Sequence, residues 1–304
     1  MNPKPILAAL FSLTLVCGWA GLAVAASNAS TSGGLTLEQA VGARAQGMGE
    51  AFTGIADDAT GLFWNVGSLS QLPGTQLNAS YVAGLADSAN EQLYYTQALG
   101  QNSGLGLGLV FFQGGTVTLD EPGGDKTVQS QSDMALDLGY GYKILKNLGL
   151  GVGLKFLQST LAEEVTAETL AADAGLLLAM DKQLSVGLTV QNMGPGLKYV
   201  SETDPLPLTV RLGAGYKLPI AKDHEGLVGV DLVKVNDQDL GLNVGAEYWF
   251  ARLLALRVGY LTGTDLAGLT AGLGFRWQVF EFDYAFGLMQ ELNNTNKVSL
   301  AMNW

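Results

Sequence analysis

From Gln76 to the end of the chain, apolar residues recur at every second position in segments of about ten residues. The last of these, Lys297-Val298-Ser299-Leu300-Ala301-Met302-Asn303-Trp304, alternates throughout and stops on an aromatic. A period of two puts successive side chains on opposite faces of a strand. Soluble sheets show it locally; sustained over most of a chain, it is the pattern of a transmembrane β-barrel. Lipid leaves no water for an unpaired strand edge, so the sheet has to close.

Fourteen strands are predicted: 76–84, 92–99, 104–112, 133–143, 148–158, 169–180, 184–192, 207–217, 226–234, 240–249, 253–261, 268–277, 279–287 and 297–304. Their connections alternate in length. Residues 85–91, 113–132, 159–168, 193–206 and 288–296 make long ones; 144–147, 181–183, 250–252 and Gln278 make tight turns. Long loops outside and tight turns in the periplasm are the barrel arrangement, and an even strand count leaves both ends of the barrel in the periplasm. Segment 218–225 is long for that side and breaks the rule.

The two faces differ in kind. Leu148, Leu150, Val152, Leu154 and Phe156 alternate with Gly149, Gly151, Gly153 and Lys155. Phe280, Phe282, Tyr284 and Phe286 alternate with Glu281, Asp283, Ala285 and Gly287. The apolar face suits lipid; the other, rich in glycine with isolated charges, suits a lumen with room in it. Aromatics gather in two girdles: Tyr140, Tyr142, Tyr216, Tyr248, Trp277 and Trp304 on the turn side, Phe111, Phe156, Tyr260 and Phe286 on the loop side.

Export is written at the N-terminus. Lys4, the apolar run Ile6–Ala20 and the small-x-small site Ala23-Val24-Ala25 predict a signal peptide over 1–25 and a mature chain from Ala26. Cys17 is the sole cysteine and falls within it, so disulfide, thiol and cysteine-metal chemistry are excluded from the mature chain. Beyond the signal, no apolar run is long enough for a membrane-spanning helix. Without Lys4 the count is 15 Lys and Arg against 28 Asp and Glu, which argues against nucleic acid as a partner.

Residues 35–75 do not alternate. They carry Gly42-Ala43-Arg44-Ala45-Gln46-Gly47-Met48-Gly49-Glu50-Ala51-Phe52, then Ile55-Ala56-Asp57-Asp58-Ala59, Phe63-Trp64-Asn65 and Leu69. Further on come Asn192-Met193-Gly194-Pro195-Gly196-Leu197, Asp204-Pro205-Leu206-Pro207-Leu208 and Gly245-Ala246-Glu247-Tyr248-Trp249-Phe250. These stretches resemble the PorV/PorQ family of outer-membrane proteins, related to the fatty-acid transporter FadL. The resemblance implies an all-β fold, a transmembrane antiparallel barrel of about 14 strands over 76–304. It also implies that 26–75 includes a short plug folded inside, with Arg44, Gly47, Gly49, Asp57, Asp58, Trp64 and Asn65 as its motif. Where the family commonly reads Asn-Pro-Ala-Gly, this chain reads Asn65-Val66-Gly67-Ser68; without the proline's fixed φ a looser turn is expected.

Chemistry has few candidates. His224 is the lone histidine, read as a solvated turn residue, so Ser-His catalysis and histidine-rich metal sites have no basis. Gly47-x-Gly49 lacks the third glycine and the parallel strand of a nucleotide loop. No enzyme, cofactor or metal is expected. Inward charges are Asp137, Lys143, Lys155, Asp173, Arg211, Lys217, Asp231, Glu247, Arg257, Arg276, Glu281 and Asp283, balanced in sign and read as pairs across the lumen or with Arg44, Asp57 and Asp58. The loops carry carboxylates at Asp120, Glu121, Asp125, Glu163, Glu164, Glu168, Glu202 and Asp204, read as a solvated rim. The expected location is the bacterial outer membrane, with lipid and the barrel insertion machinery as partners and Trp304 as the insertion signal. Family members differ in role. Exported proteins, as in protein secretion, or hydrophobic small molecules such as fatty acids are the candidate cargo, and a purely structural protein is a third reading.

Overall fold

The computed structural model describes residues 32–84, 87–120, 124–263, 268–289 and 294–304. The predicted signal peptide, residues 26–31 and Glu121 lie outside them. Fourteen antiparallel strands form one closed barrel. They are β1 (Thr75–Ala83), β2 (Ala89–Leu99), β3 (Ser103–Gln113), β6 (Gln131–Leu145), β7 (Leu148–Leu161), β8 (Val165–Ala179), β9 (Leu184–Met193), β10 (Thr209–Ala221), β11 (His224–Val235), β12 (Gly241–Phe250), β13 (Leu254–Leu261), β14 (Gly268–Trp277), β15 (Phe280–Met289) and β16 (Thr295–Asn303). Between β3 and β6, β4 (Thr116–Leu119) and β5 (Lys126–Gln129) form a separate hairpin.

Closure comes from the pairing of β1 with β16. At the seam the Thr75 N–H donates to the Trp304 carbonyl (2.8 Å) and the Trp304 N–H donates to Thr75 (3.0 Å). Trp304→Ala keeps both backbone bonds, so the folded barrel should be unaffected while the terminal aromatic is lost. The expected result is a lower yield of inserted protein in cells, with an unchanged unfolding temperature for the fraction that inserts.

The outward face is apolar as the alternation predicts: Leu105, Leu138, Val152, Leu154, Leu212, Leu256, Phe282 and Leu300 are all exposed. On β7 and β8 this face turns polar toward the loop end. Gln158 donates to Glu168 and Thr160 meets Thr166 across the ladder, so the apolar band ends near Phe156 and Leu170. Among the predicted girdle residues Tyr140, Tyr142, Tyr216, Trp277 and Trp304 are exposed at the turn end, and Phe111 and Tyr260 at the loop end.

Three connections depart from the sequence reading. The loop expected over 159–168 is three residues, because Ala162 and Glu163 take left-handed φ of 51° and 61° and let β7 and β8 run on as strands. Residues 218–225 are not a long turn. β10 and β11 extend to Ala221 and His224, and Pro219 sits where β9 no longer pairs, so the missing N–H costs no ladder bond. Loop 113–132 contains the β4–β5 hairpin, whose Gln129 N–H donates to Glu163 (3.0 Å). His224 is therefore a strand residue, half-buried, with Nδ1 2.8 Å from the Tyr248 hydroxyl.

Most of residues 36–72 are buried, Leu35 being exposed, and the segment packs against inward-facing glycines of the wall. They form a 3-10 turn (Leu35–Glu38), short helices at Ala43–Gly47 and Gly61–Trp64, and a 3-10 turn at Val66–Ser70. Inward glycines meet this segment on successive strands. A methyl on Gly141 would collide with the Ser70 nitrogen, on Gly151 with the Val66 carbonyl, on Gly187 with Thr53, on Gly229 with Ala51, and on Gly245 with Met48. Register aligns them: Gly104 pairs with Gly141, Gly141 with Gly151, Gly151 with Gly175, and on the far wall Gly215 with Gly229, Gly229 with Gly245, Gly245 with Gly259. These inward glycines therefore do not face open space. They form a girdle on which the backbone of 47–70 seats at distances a side chain would forbid.

Candidate functional site

Arg44 lies on the short helix Ala43–Gly47 and joins this inner segment to the wall. Its guanidinium donates to Asp57 (2.7 Å), Asp58 (3.2 Å) and Glu247 of β12 (2.9 Å). Glu247 also accepts from Arg257 of β13 (2.6 Å). Arg257, whose side chain is fully buried, reaches Asp283 (2.5 Å) and Glu281 (3.3 Å) of β15, and Glu281 accepts from Arg276 (2.8 Å). The charges form one connected chain, and its Arg257 links join neighbouring or next-neighbour strands. Gly47 lies beside it, packed on Gly272 and Arg257. Gly49 has φ 61° and its N–H donates to Thr270 (3.0 Å).

The other predicted charges do different work. Asp231 forms no ion pair among the described residues; it accepts from the N–H groups of Phe52 (3.1 Å) and Thr53 (2.9 Å) and so holds the inner backbone. Arg211 donates to Gln191 (3.2 Å) and stacks over Trp64, 5.1 Å from the ring centre. Asp137 accepts from the Tyr94 hydroxyl (3.0 Å). Lys155 pairs with Asp173 (2.7 Å), donates to Asn192 (2.9 Å) and lies over Phe63. Lys143 is not in the lumen network and donates to the Gln101 carbonyl at the turn end. Lys217 reaches Asp57 at 3.3 Å from a largely exposed position.

Trp64 is fully buried, donates to the Val41 carbonyl (2.9 Å) and meets Phe63 and Phe52 edge-on. The turn after it is not loose. Asn65 accepts from the Gly67 N–H (3.0 Å) and donates to the carbonyls of Thr53 (3.0 Å) and Leu176 (2.9 Å), replacing the proline's constraint with three bonds. Gly67 contributes close approach to Gly175 and not a positive φ.

Two features were not legible beforehand. Asp133 of β6 accepts from Thr36, Ser159 and Gln131, and Ser159 accepts from Tyr199 (2.8 Å), so one carboxylate ties the wall, the inner segment and the 194–208 connection. Asn192 sits at φ 62° in a bulge between β8 and β9, donating its N–H to Asp173 (2.8 Å) and its amide to Pro207 (3.0 Å). A lone Asp or Asn in a strand gives no sign of such partners.

The two ends of the interior differ. At the loop end Leu197 and Leu206 turn inward and are buried, joined by the Leu197–Asp204 bridge and the bond from Gly33 N–H to Pro205 (2.8 Å). The void enclosed there by Leu37, Phe63, Tyr94 and Val110 is about 10 Å³. At the turn end a cavity of about 810 Å³ opens between the inner segment, the 181–183 turn and the β10–β11 hairpin. Its lining holds Asp57, Asp58, Asp181, Glu225, Glu247, Glu281 and Asp283 against Arg44, Lys182, Lys217 and Arg276. The balance is negative even with Arg257 behind the carboxylates.

A family model described as "Type IX secretion system protein PorV" matches residues 24–236. The chain belongs to the PorV family. No curated protein sequence matches it. Among solved structures it is similar to the Ralstonia pickettii toluene transporter TbuX, at 11% identity and TM-score 0.61, covering 86% of this chain and 98% of that one. The Pseudomonas putida toluene transporter TodX matches at 14% and 0.59, covering 84% and 95%. A Pseudomonas aeruginosa FadL homologue matches at 10% and 0.55, covering 84% and 97%. At such identities the structures establish a shared FadL-like fold, and the family and fold together make this a bacterial outer-membrane barrel.

Proposed function

We propose that this protein acts in protein secretion at the outer membrane as a closed barrel that engages exported proteins through its surfaces. The observation that carries the reading is the glycine girdle. An inner backbone seated on wall glycines, with a void of only about 10 Å³ beside it, leaves little room for a hydrocarbon among the described residues. The working surfaces are then the loop-end structures: the β4–β5 hairpin, the 162–164 turn and the 194–208 connection, where Val200 is 77% exposed. The family's secretion role supports the same reading. The second reading, a conduit for hydrophobic small molecules, is favoured by the shared fold of the toluene transporters.

Replacing residues 116–129 by a short Gly-Ser turn separates the two. Affinity-tagged protein recovered from the source outer membrane should carry exported proteins, and this variant should lose them while its barrel stays folded. A fluorescent fatty acid should show no saturable binding. Saturable binding that disappears when Asn65→Ala loosens the inner segment, with no exported protein recovered by the intact chain, would replace secretion with conduction.

A further inference from the structure

We infer that the turn-end cavity is a binding site for an organic cation, the guanidinium or ammonium group of a basic peptide segment entering from the periplasm. Its volume of about 810 Å³ falls in the range of ligand sites. Two of its side chains have unused hydrogen-bonding capacity. Asp283, 6% exposed, engages Arg257 through Oδ1, and no hydrogen bond engages its Oδ2 among the described residues. Asn78, 5% exposed, accepts from Ser80 (2.7 Å), and its amide nitrogen has no acceptor among the described residues. Neither atom is sealed within protein. A charged donor next to a peptide carbonyl would meet both: the cation on Asp283, the carbonyl on Asn78.

The surroundings match that ligand. Trp249 and Leu227 supply apolar wall for an aliphatic stem, and carboxylates outnumber cations around it. At the mouth, Asp181 accepts from the N–H groups of Leu184 and Gln183 (2.7 Å each), which holds its carboxyl below the usual range and keeps it ionised in mild acid. A metal ion is the weaker fit, because no group of three or more Asp, Glu, His or Cys among the described residues could hold one. The secretion reading matters here only for the source of the peptide; the site stands or falls on binding to purified protein.

The test uses the full chain in detergent and a fluorescein-labelled hexapeptide alternating leucine and arginine, read by anisotropy. The arginine peptide should bind saturably. Its twin with citrulline in place of arginine keeps the shape without the charge and should bind at least about tenfold more weakly, since a charged hydrogen bond is lost. Asp283→Asn should weaken binding similarly. The exposed pair Asp181→Asn and Glu225→Gln, which need not disturb folding, should weaken it by up to about fivefold per charge. Equal binding of both peptides, or no effect of the exposed pair, overturns the inference. Spermidine identifies the source. Displacement of the peptide at equal cation equivalents would make a free polyamine the ligand and overturn the peptide assignment; no displacement retains it.

Discussion

Arg257→Met is expected to lower the unfolding temperature of the barrel sharply. Arg257 has no exposed side-chain surface and faces three carboxylates, Glu247, Asp283 and Glu281, at 2.5 to 3.3 Å. Methionine fills much of the same volume and supplies no charge, so Asp283 loses its cation and Glu247 and Glu281 each keep one. Removing one partner of a buried ion pair costs about 3–5 kcal/mol, because the remaining charge stays buried without compensation. The readout is the temperature at which the fast-migrating band of unboiled protein converts to the slow band of unfolded chain. Arg252→Met is the control, since its pair with Glu225 is more than half exposed and such pairs are worth about 0–1 kcal/mol. Adding Asp283→Asn to Arg257→Met should restore part of the loss, because it neutralises the one carboxylate left without a cation and coupled residues are not additive. Equal transitions for Arg257→Met and Arg252→Met would mean that the network does not hold the barrel.

The second large effect is expected from filling the girdle. In Gly245→Val with Gly259→Val, new side chains on β12 and β13 meet the backbone of Met48 and Gly49. Valine suits a strand, so the wall itself should persist. The inner backbone has no such latitude, and overpacking of this kind costs about 1–3 kcal/mol per site. The variant should keep its heat-dependent mobility shift while residues 35–72 become open to a protease added from the turn side. Leu242→Val, on the outward face of β12, should leave protection unchanged. A girdle variant as resistant as the unmodified chain would show that the seating is not tight.

The sequence made the barrel legible because lipid enforces one rule on every strand. Period two and an apolar outward face were readable in Leu148–Phe156 and Phe280–Phe286, and so was the strand number. Connections were less legible. Ala162 and Glu163 turn in left-handed conformations that neither residue advertises, and 218–225 looks like a turn because of Pro219 yet continues as strand. The interior was half legible. Arg44, Glu247 and Arg257 were recognisable as charges needing partners, but which partners they take depends on register between distant strands. The alternating glycines were visible and suggested room. Their use emerges only when the 47–70 backbone is laid against them, since a missing side chain does not reveal what approaches.

Ion conductance across a planar lipid bilayer tests the central claim most directly. The intact chain, with its inner segment seated on the girdle, should insert and pass no steady current. The same chain lacking residues 35–72 should insert and open in steady steps. Equal conductance from the two would contradict the claim that this segment closes the barrel.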